Sequence, residues 1–184
     1  MNNDTGTRKS PCRNILLPTL ALIVVICDQV VKFWISRCSG FAEGVYPPCG
    51  GIEIIPGFFS IVYTTNSGAA WGMFSGFGYA LAILGIAALA AIYIFRKQLE
   101  LEKRSMQIVF GMMIGGIIGN LVDRMFIGRV TDFLDFQIGS YRWPTFNIAD
   151  SAMVVAACLY VIIGLFAHND GEKITKDPSR ADKN

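Results

Sequence analysis

Four long apolar runs constrain this chain more than any other feature. They cover residues 15–35, 77–95, 106–122 and 151–167, which is 21, 19, 17 and 17 residues. At helical rise they reach about 25 to 32 Å, close to one bilayer core. None alternates polar with apolar in segments of about ten residues, as a barrel strand would. Spanning segments that are not barrel strands must be helices, since backbone polar groups find no partner in lipid. The expected fold class is an α-helical integral membrane protein, a four-transmembrane-helix bundle. Composition agrees, with 53% hydrophobic and 16% charged residues against about 25% charged in a soluble domain. A net charge of +2 is too small for a phosphate-neutralising surface, so no nucleic-acid partner is expected. Five cysteines without a CxxC pair, and the single His168, leave no disulfide scaffold and no recognisable metal site.

Basic residues set the orientation. Arg8, Lys9 and Arg13 precede the first run, Arg96, Lys97, Lys103 and Arg104 lie between the second and third, and Lys173, Lys176, Arg180 and Lys183 follow the fourth. The positive-inside rule then places both termini and the 96–105 loop in the cytoplasm. Segments 37–76 and 123–150 face outward. The first run resembles a signal sequence, but it is too long and lacks a small-residue cleavage site, so it is expected to be retained. The chain divides into a cytoplasmic tail 1–13, a membrane domain 14–167 and a cytoplasmic tail 168–184.

The outer segment 37–65 is not helical in pattern. It holds Pro47, Pro48, Pro56 and five glycines, with β-branched and aromatic stretches at 52–55 and 58–65. This predicts a small extracytoplasmic antiparallel β-structure on the outer membrane face, with an ordered loop as the plainer alternative. Cys38 and Cys49 share this segment. A bridge between them would add about 3 kcal/mol in the loop-entropy model, and two free thiols are the alternative.

Ionisable residues inside a span are costly and point to function. Asp28 and Lys32 are four apart on one helix face, which allows an ion pair. Such a pair ties the first helix to the bundle, although Lys32 lies near enough to the outer end to snorkel. Gly111, Gly115 and Gly119 form a stripe that admits a close helix neighbour. Asn120, Asp123 and Arg124 follow at its outer end on a shared face. Beyond them Asp132 and Asp150 stand at the two ends of one outer connection, so the chain's return can bring both carboxylates together. Asn147, three residues before Asp150, is a candidate N-cap, and an aspartate in a first helical turn suits the helix dipole. Two carboxylates in a partly desolvated site share one proton and can hydrolyse a peptide bond by acid–base chemistry. The only histidine is at the cytoplasmic end, so neither a Ser–His nor a Cys–His dyad is available.

Four blocks carry a family resemblance. They are Asp28-Gln29-Val30-Val31-Lys32; Asn66-Ser67-Gly68-Ala69-Ala70-Trp71-Gly72; Gly119-Asn120-Leu121-Val122-Asp123-Arg124 with Gly128-Arg129-Val130-Thr131-Asp132-Phe133; and Phe146-Asn147-Ile148-Ala149-Asp150-Ser151. In this order and spacing the chain resembles the bacterial lipoprotein signal peptidases, the type II signal peptidases. The resemblance implies an aspartyl endopeptidase of the bacterial inner membrane with an outer β-cradle. Such enzymes cut the signal peptide from diacylglyceryl-modified prolipoproteins, just before the lipidated cysteine. It places the catalytic pair on Asp132 and Asp150. Asn66, Asn120, Arg124 and Asn147 match polar positions lining the site, Asp28 and Lys32 match the first-helix motif, and Asp123 matches a supporting position. No cofactor is implied. Substrate prolipoproteins and membrane lipids are the expected partners, and a monomer is the expected state. Trp71 stands where the family usually has Phe. Asp135, three residues after Asp132, competes with it, and the Val-x-Asp-Phe context favours Asp132. A small transporter is the rival class. It would need polar groups through the full membrane depth, whereas here they crowd the outer end.

Overall fold

The computed structural model describes residues 15–37, 40–68, 76 and 78–176. Four helices carry the four apolar runs: α1 (Leu16–Arg37), α2 (Gly78–Ile94), α3 (Arg104–Phe126) and α4 (Ile148–Lys176). Helices α1 and α3 and the stretch Ile148–Phe166 of α4 are long and apolar enough to cross a bilayer, while α2 is a shorter apolar helix. Helix α4 continues to Lys176, past the end of its apolar run. The expected N-terminal tail, Cys12, Trp71 and Cys38 lie outside the described residues, as does the chain after Lys176. The possible Cys38–Cys49 bridge therefore lies outside them too.

Burial is inverted relative to a soluble bundle. Leu22, Ile26, Val30, Phe33 and Trp34 of α1 are exposed, whereas Asp28 and Lys32 of the same helix are buried. The buried positions Ala21, Asp28, Lys32 and Ile35 recur at the spacing of one helix face. Apolar side chains on the outside suit lipid, and polar ones inside must satisfy one another. Lys32 does not snorkel. It is only 4% exposed, because two carboxylates hold its ammonium within the bundle.

Helix α3 is central and packs on α1, α2 and α4. Its glycines permit this. A methyl at Gly111 would lie 2.9 Å from Leu17 O, and one at Gly115 would lie 2.8 Å from Ala21 O, both on α1. Gly116, outside the predicted stripe, faces α4 in the same way, with Ala149 O only 2.5 Å from a methyl built there. An apolar cluster of Ile92, Met106, Val109, Phe110 and Ala156 joins α2, α3 and α4.

The connections α1–α2 and α3–α4 supply one antiparallel sheet in the order β1-β2-β3-β4. Strands β1 (Ile52–Ile55) and β2 (Phe59–Asn66) fall where the sequence predicts them, joined by a tight turn in which Gly57 takes φ 69°. Strands β3 (Val130–Ile138) and β4 (Tyr141–Arg142) come from the 123–150 connection. The sheet thus draws on both connections, not on 37–65 alone. In β3, Asp132 and Asp135 each interrupt an otherwise apolar, β-branched and aromatic run, which obscures its strand character in the sequence. Across the β2–β3 pairing, Thr64 lies opposite Asp132, beside a register shift between Ile61 and Thr64. Phe146 then bridges back to Leu134, which sets the start of α4 against β3.

Candidate active site

Each member of the carboxylate pair is held by a different kind of element. Asp132 sits near the start of β3, where pairing opposite Thr64 fixes its backbone. Asp150 sits in the first turn of α4. Asn147 caps that helix reciprocally: the Asp150 N–H donates to Asn147 Oδ1 (2.9 Å), and the Asn147 N–H donates to Asp150 Oδ2 (3.3 Å). This is the logic of a capping box with aspartate as the returning acid.

Two amides join the carboxylates. Asn147 Nδ2 donates to Asp132 Oδ1 at 2.7 Å and to Asn120 Oδ1 at 3.1 Å. Asn120 Nδ2 donates to Asp150 Oδ1 at 2.7 Å. The four side chains Asp132, Asn147, Asn120 and Asp150 therefore form one connected polar chain between β3, α4 and α3. Asn66, at the end of β2, also hydrogen-bonds the Asp132 side chain. Its Oδ1 accepts the Gly68 N–H at 2.8 Å.

Asp132 is 3% exposed. Its carboxyl is pushed from 3.8 up to about 7, by burial first and by the nearby charge of Asp150 second, against the pull of Asn147, Lys32 and Asn66. Asp132 thus holds a proton near neutrality.

Beneath the pair lies an ionic cluster. Lys32 Nζ is 2.7 Å from Asp28 Oδ2, 2.9 Å from Asp123 Oδ2 and 3.0 Å from Asn120 Oδ1. Asp28 Oδ1 accepts the Ala149 N–H at 2.9 Å, and Asp123 Oδ2 accepts the Thr131 N–H at 3.0 Å. Gln29 completes the cluster by donating to Asp28, Asp123 and the Gly119 carbonyl. Sequence reading passed over Gln29, although an amide next to an intramembrane aspartate is itself a signal. It also passed over Thr131, which takes part only through its backbone and leaves no trace in a sequence.

Arg124 reaches the rim. It donates to the carbonyls of Asn120 (3.3 Å) and Gly68 (3.2 Å), and its buried Nε has no hydrogen-bond partner among the described residues. Asp135 is not brought to the pair. Three positions along a strand reverse the facing of a side chain, and Asp135 instead lies 3.3 Å from Arg142 Nε. Burial raises its carboxyl above the ordinary range, and Arg142 opposes the rise. The guanidinium of Arg142 stacks 4.0 Å above the Tyr46 ring. All eight site residues expected from the sequence are therefore in or against one polar cluster at the C-terminal ends of α1 and α3 and the N-terminal end of α4.

Comparison with known proteins points to one family. The family described as signal peptidase (SPase) II matches residues 20–166. The lipoprotein signal peptidase of Symbiobacterium thermophilum is 37% identical over 150 residues, covering 81% of this chain and 90% of that protein. That of Geobacillus kaustophilus is 37% identical over 149 residues, covering 81% and 89%. A solved bacterial membrane enzyme superposes with a TM-score of 0.73 at 34% identity, covering 84% of this chain and 90% of the other.

Proposed function

The chain belongs to the signal peptidase II family, and from that premise we propose that Asp132 and Asp150 are its catalytic pair. The protein is an integral membrane peptidase of the aspartic type that removes signal peptides from lipoprotein precursors. The finer reading concerns how and where. The observation that carries it is the continuous hydrogen-bonded path from Asp132 through Asn147 and Asn120 to Asp150.

A pair sharing one proton has both functions that hydrolysis needs. The ionised carboxylate takes a proton from water, and the water oxygen bonds to the scissile carbonyl carbon. The protonated carboxyl hydrogen-bonds the carbonyl oxygen and gives it that proton as the tetrahedral intermediate forms. When the C–N bond breaks, the leaving amine takes the proton gained from water, one hydroxyl of the intermediate gives its proton back to the other carboxylate as the product carboxyl forms, and the pair returns to its starting state. The two carboxyls titrate together, so the base is the pair rather than either member. Arg124 Nε and the Asn66 amide border the pair and are placed to hold backbone carbonyls of the substrate.

All four helices span the bacterial inner membrane in this reading, with both termini cytoplasmic and the site at the outer face. Basic residues at 96–104 support the orientation. A signal peptide is already an apolar helix in the bilayer, and its cleavage point lies near the outer leaflet. Asp132 and Asp150 at that depth meet a lipid-solvated substrate and water together. The substrate is a diacylglyceryl-modified prolipoprotein cut before the lipidated cysteine, with the acyl chains remaining in the bilayer.

The test is a gel-shift assay of the purified protein with a diacylglyceryl-modified prolipoprotein. The native chain releases the signal peptide, and Asp132→Asn and Asp150→Asn do not. A folded Asp132→Asn or Asp150→Asn variant with native turnover overturns the assignment.

A further inference from the structure

We infer that Lys32 is the positioning residue of the catalytic pair. One ammonium ties together the backbone ahead of Asp132, the backbone ahead of Asp150 and the amide that donates to Asp150. This inference rests on the reading of Asp132 and Asp150 given above.

An ammonium has three hydrogens and no acceptor. All three have an acceptor here, at 2.7 Å on Asp28, 2.9 Å on Asp123 and 3.0 Å on Asn120. Each acceptor has a second task. Asp28 holds the N–H of Ala149, the residue before Asp150. Asp123 holds the N–H of Thr131, the residue before Asp132. Asn120 donates from Nδ2 to Asp150 Oδ1. One point charge on α1 is therefore a single bond-pair away from both catalytic positions, on two other elements.

Lys32 and Asn147 together set which way the Asn120 amide faces. A cation that only donates requires the amide oxygen, and Asn147 Nδ2 donates to the same oxygen. The amide nitrogen is thereby turned to Asp150. Reversed, Asn120 would set its oxygen against the Asp150 carboxylate and its NH2 against the ammonium, and both contacts would be repulsive. A simple tie between α1 and α3 would need only one of the two carboxylates and no link to Asn120.

Lys32→Arg is the first test. Arginine keeps the charge, so Asp28 and Asp123 stay compensated. Its planar fork cannot aim three donors around one tetrahedral point. The expected result is kcat lower by about 100-fold, the effect of misplacing a catalytic group by about 1 Å, with KM within threefold of native and an unchanged thermal midpoint. Asp123→Asn is the second variant. It keeps the shape but removes the charged acceptor of the Thr131 N–H, and kcat is expected to fall with KM unchanged. Each is measured beside Asp132→Asn on lipidated prolipoprotein. Native kcat in either folded variant, or a loss confined to KM or to the folded fraction, overturns the positioning role. If Lys32→Arg does not fold, Asp123→Asn decides alone. Activity in Asp132→Asn would instead overturn the catalytic assignment, whatever Lys32 does.

Discussion

Gly116→Ala should damage catalysis more than folding, because the residue it strikes is next to Asp150 of the proposed catalytic pair. A methyl built at Gly116 lies 2.5 Å from the Ala149 carbonyl oxygen and 2.6 Å from Met153 Cγ. The methionine can swing aside, but a backbone oxygen in the first turn of α4 cannot. Ordinary contact begins near 3.4 Å, so α4 must withdraw by about 0.9 Å at that point. Two effects on stability oppose each other: overpacking costs about 1–3 kcal/mol, while alanine recovers about 1 kcal/mol of helix propensity. The net loss is about 0–2 kcal/mol. The displacement reaches Asp150 directly, since Ala149 precedes it, and also lengthens the Asn120–Asp150 contact. A shift of about 1 Å in a catalytic group costs about 100-fold in rate. The assay is turnover of lipidated prolipoprotein by gel shift, with thermal unfolding in the same detergent. Gly85→Ala is the control, because its methyl would meet only Ile117 Cγ2 at an ordinary 3.5 Å. Native turnover in Gly116→Ala would refute the claim that this helix contact sets the position of Asp150.

Turnover should fall as pH rises through about 7, because the raised Asp132 carboxyl then loses the proton that the pair must share; a rate flat from about pH 6 to 9 counts against the one-proton pair. The same shift has a stability consequence of fixed sign. The folded chain binds this proton more tightly than an unfolded aspartate at 3.8, so the contribution is full below 3.8 and is lost as pH rises through about 7. Denaturant midpoints across that window check it. Asp135→Asn should leave cleavage within a few-fold of native, since Asp135 contacts Arg142 rather than the pair; a loss comparable to Asp132→Asn would show that β3 presents the wrong aspartate in this structure.

Membrane-spanning helices were legible because lipid imposes one requirement on every residue of a span, and a run of apolar side chains states it openly. The first two strands were legible for a similar local reason, as turn residues bracket β-branched and aromatic stretches at 52–55 and 58–65. The intramembrane pair Asp28 and Lys32 stood out because charge in a span is costly, and Asn147 because helix capping is a contact within four residues.

Tertiary structure decided what depends on contacts between distant residues. Lys32 lies near enough to the helix end to snorkel, and Asp28 on its own helix with Asp123 and Asn120 on another hold it inside. The Val-x-Asp-Phe context favours Asp132 over Asp135, and the pairing of β3 with β2 sets which of them meets Asn147. Gly116 looked like one more small residue, until the approach of α4 to α3 made it a contact with the backbone beside Asp150. Covalent neighbours and the surrounding solvent act on each residue separately, so a sequence records their demands. Hydrogen bonds across roughly ninety residues, such as Lys32 to Asn120, exist only once the helices have packed.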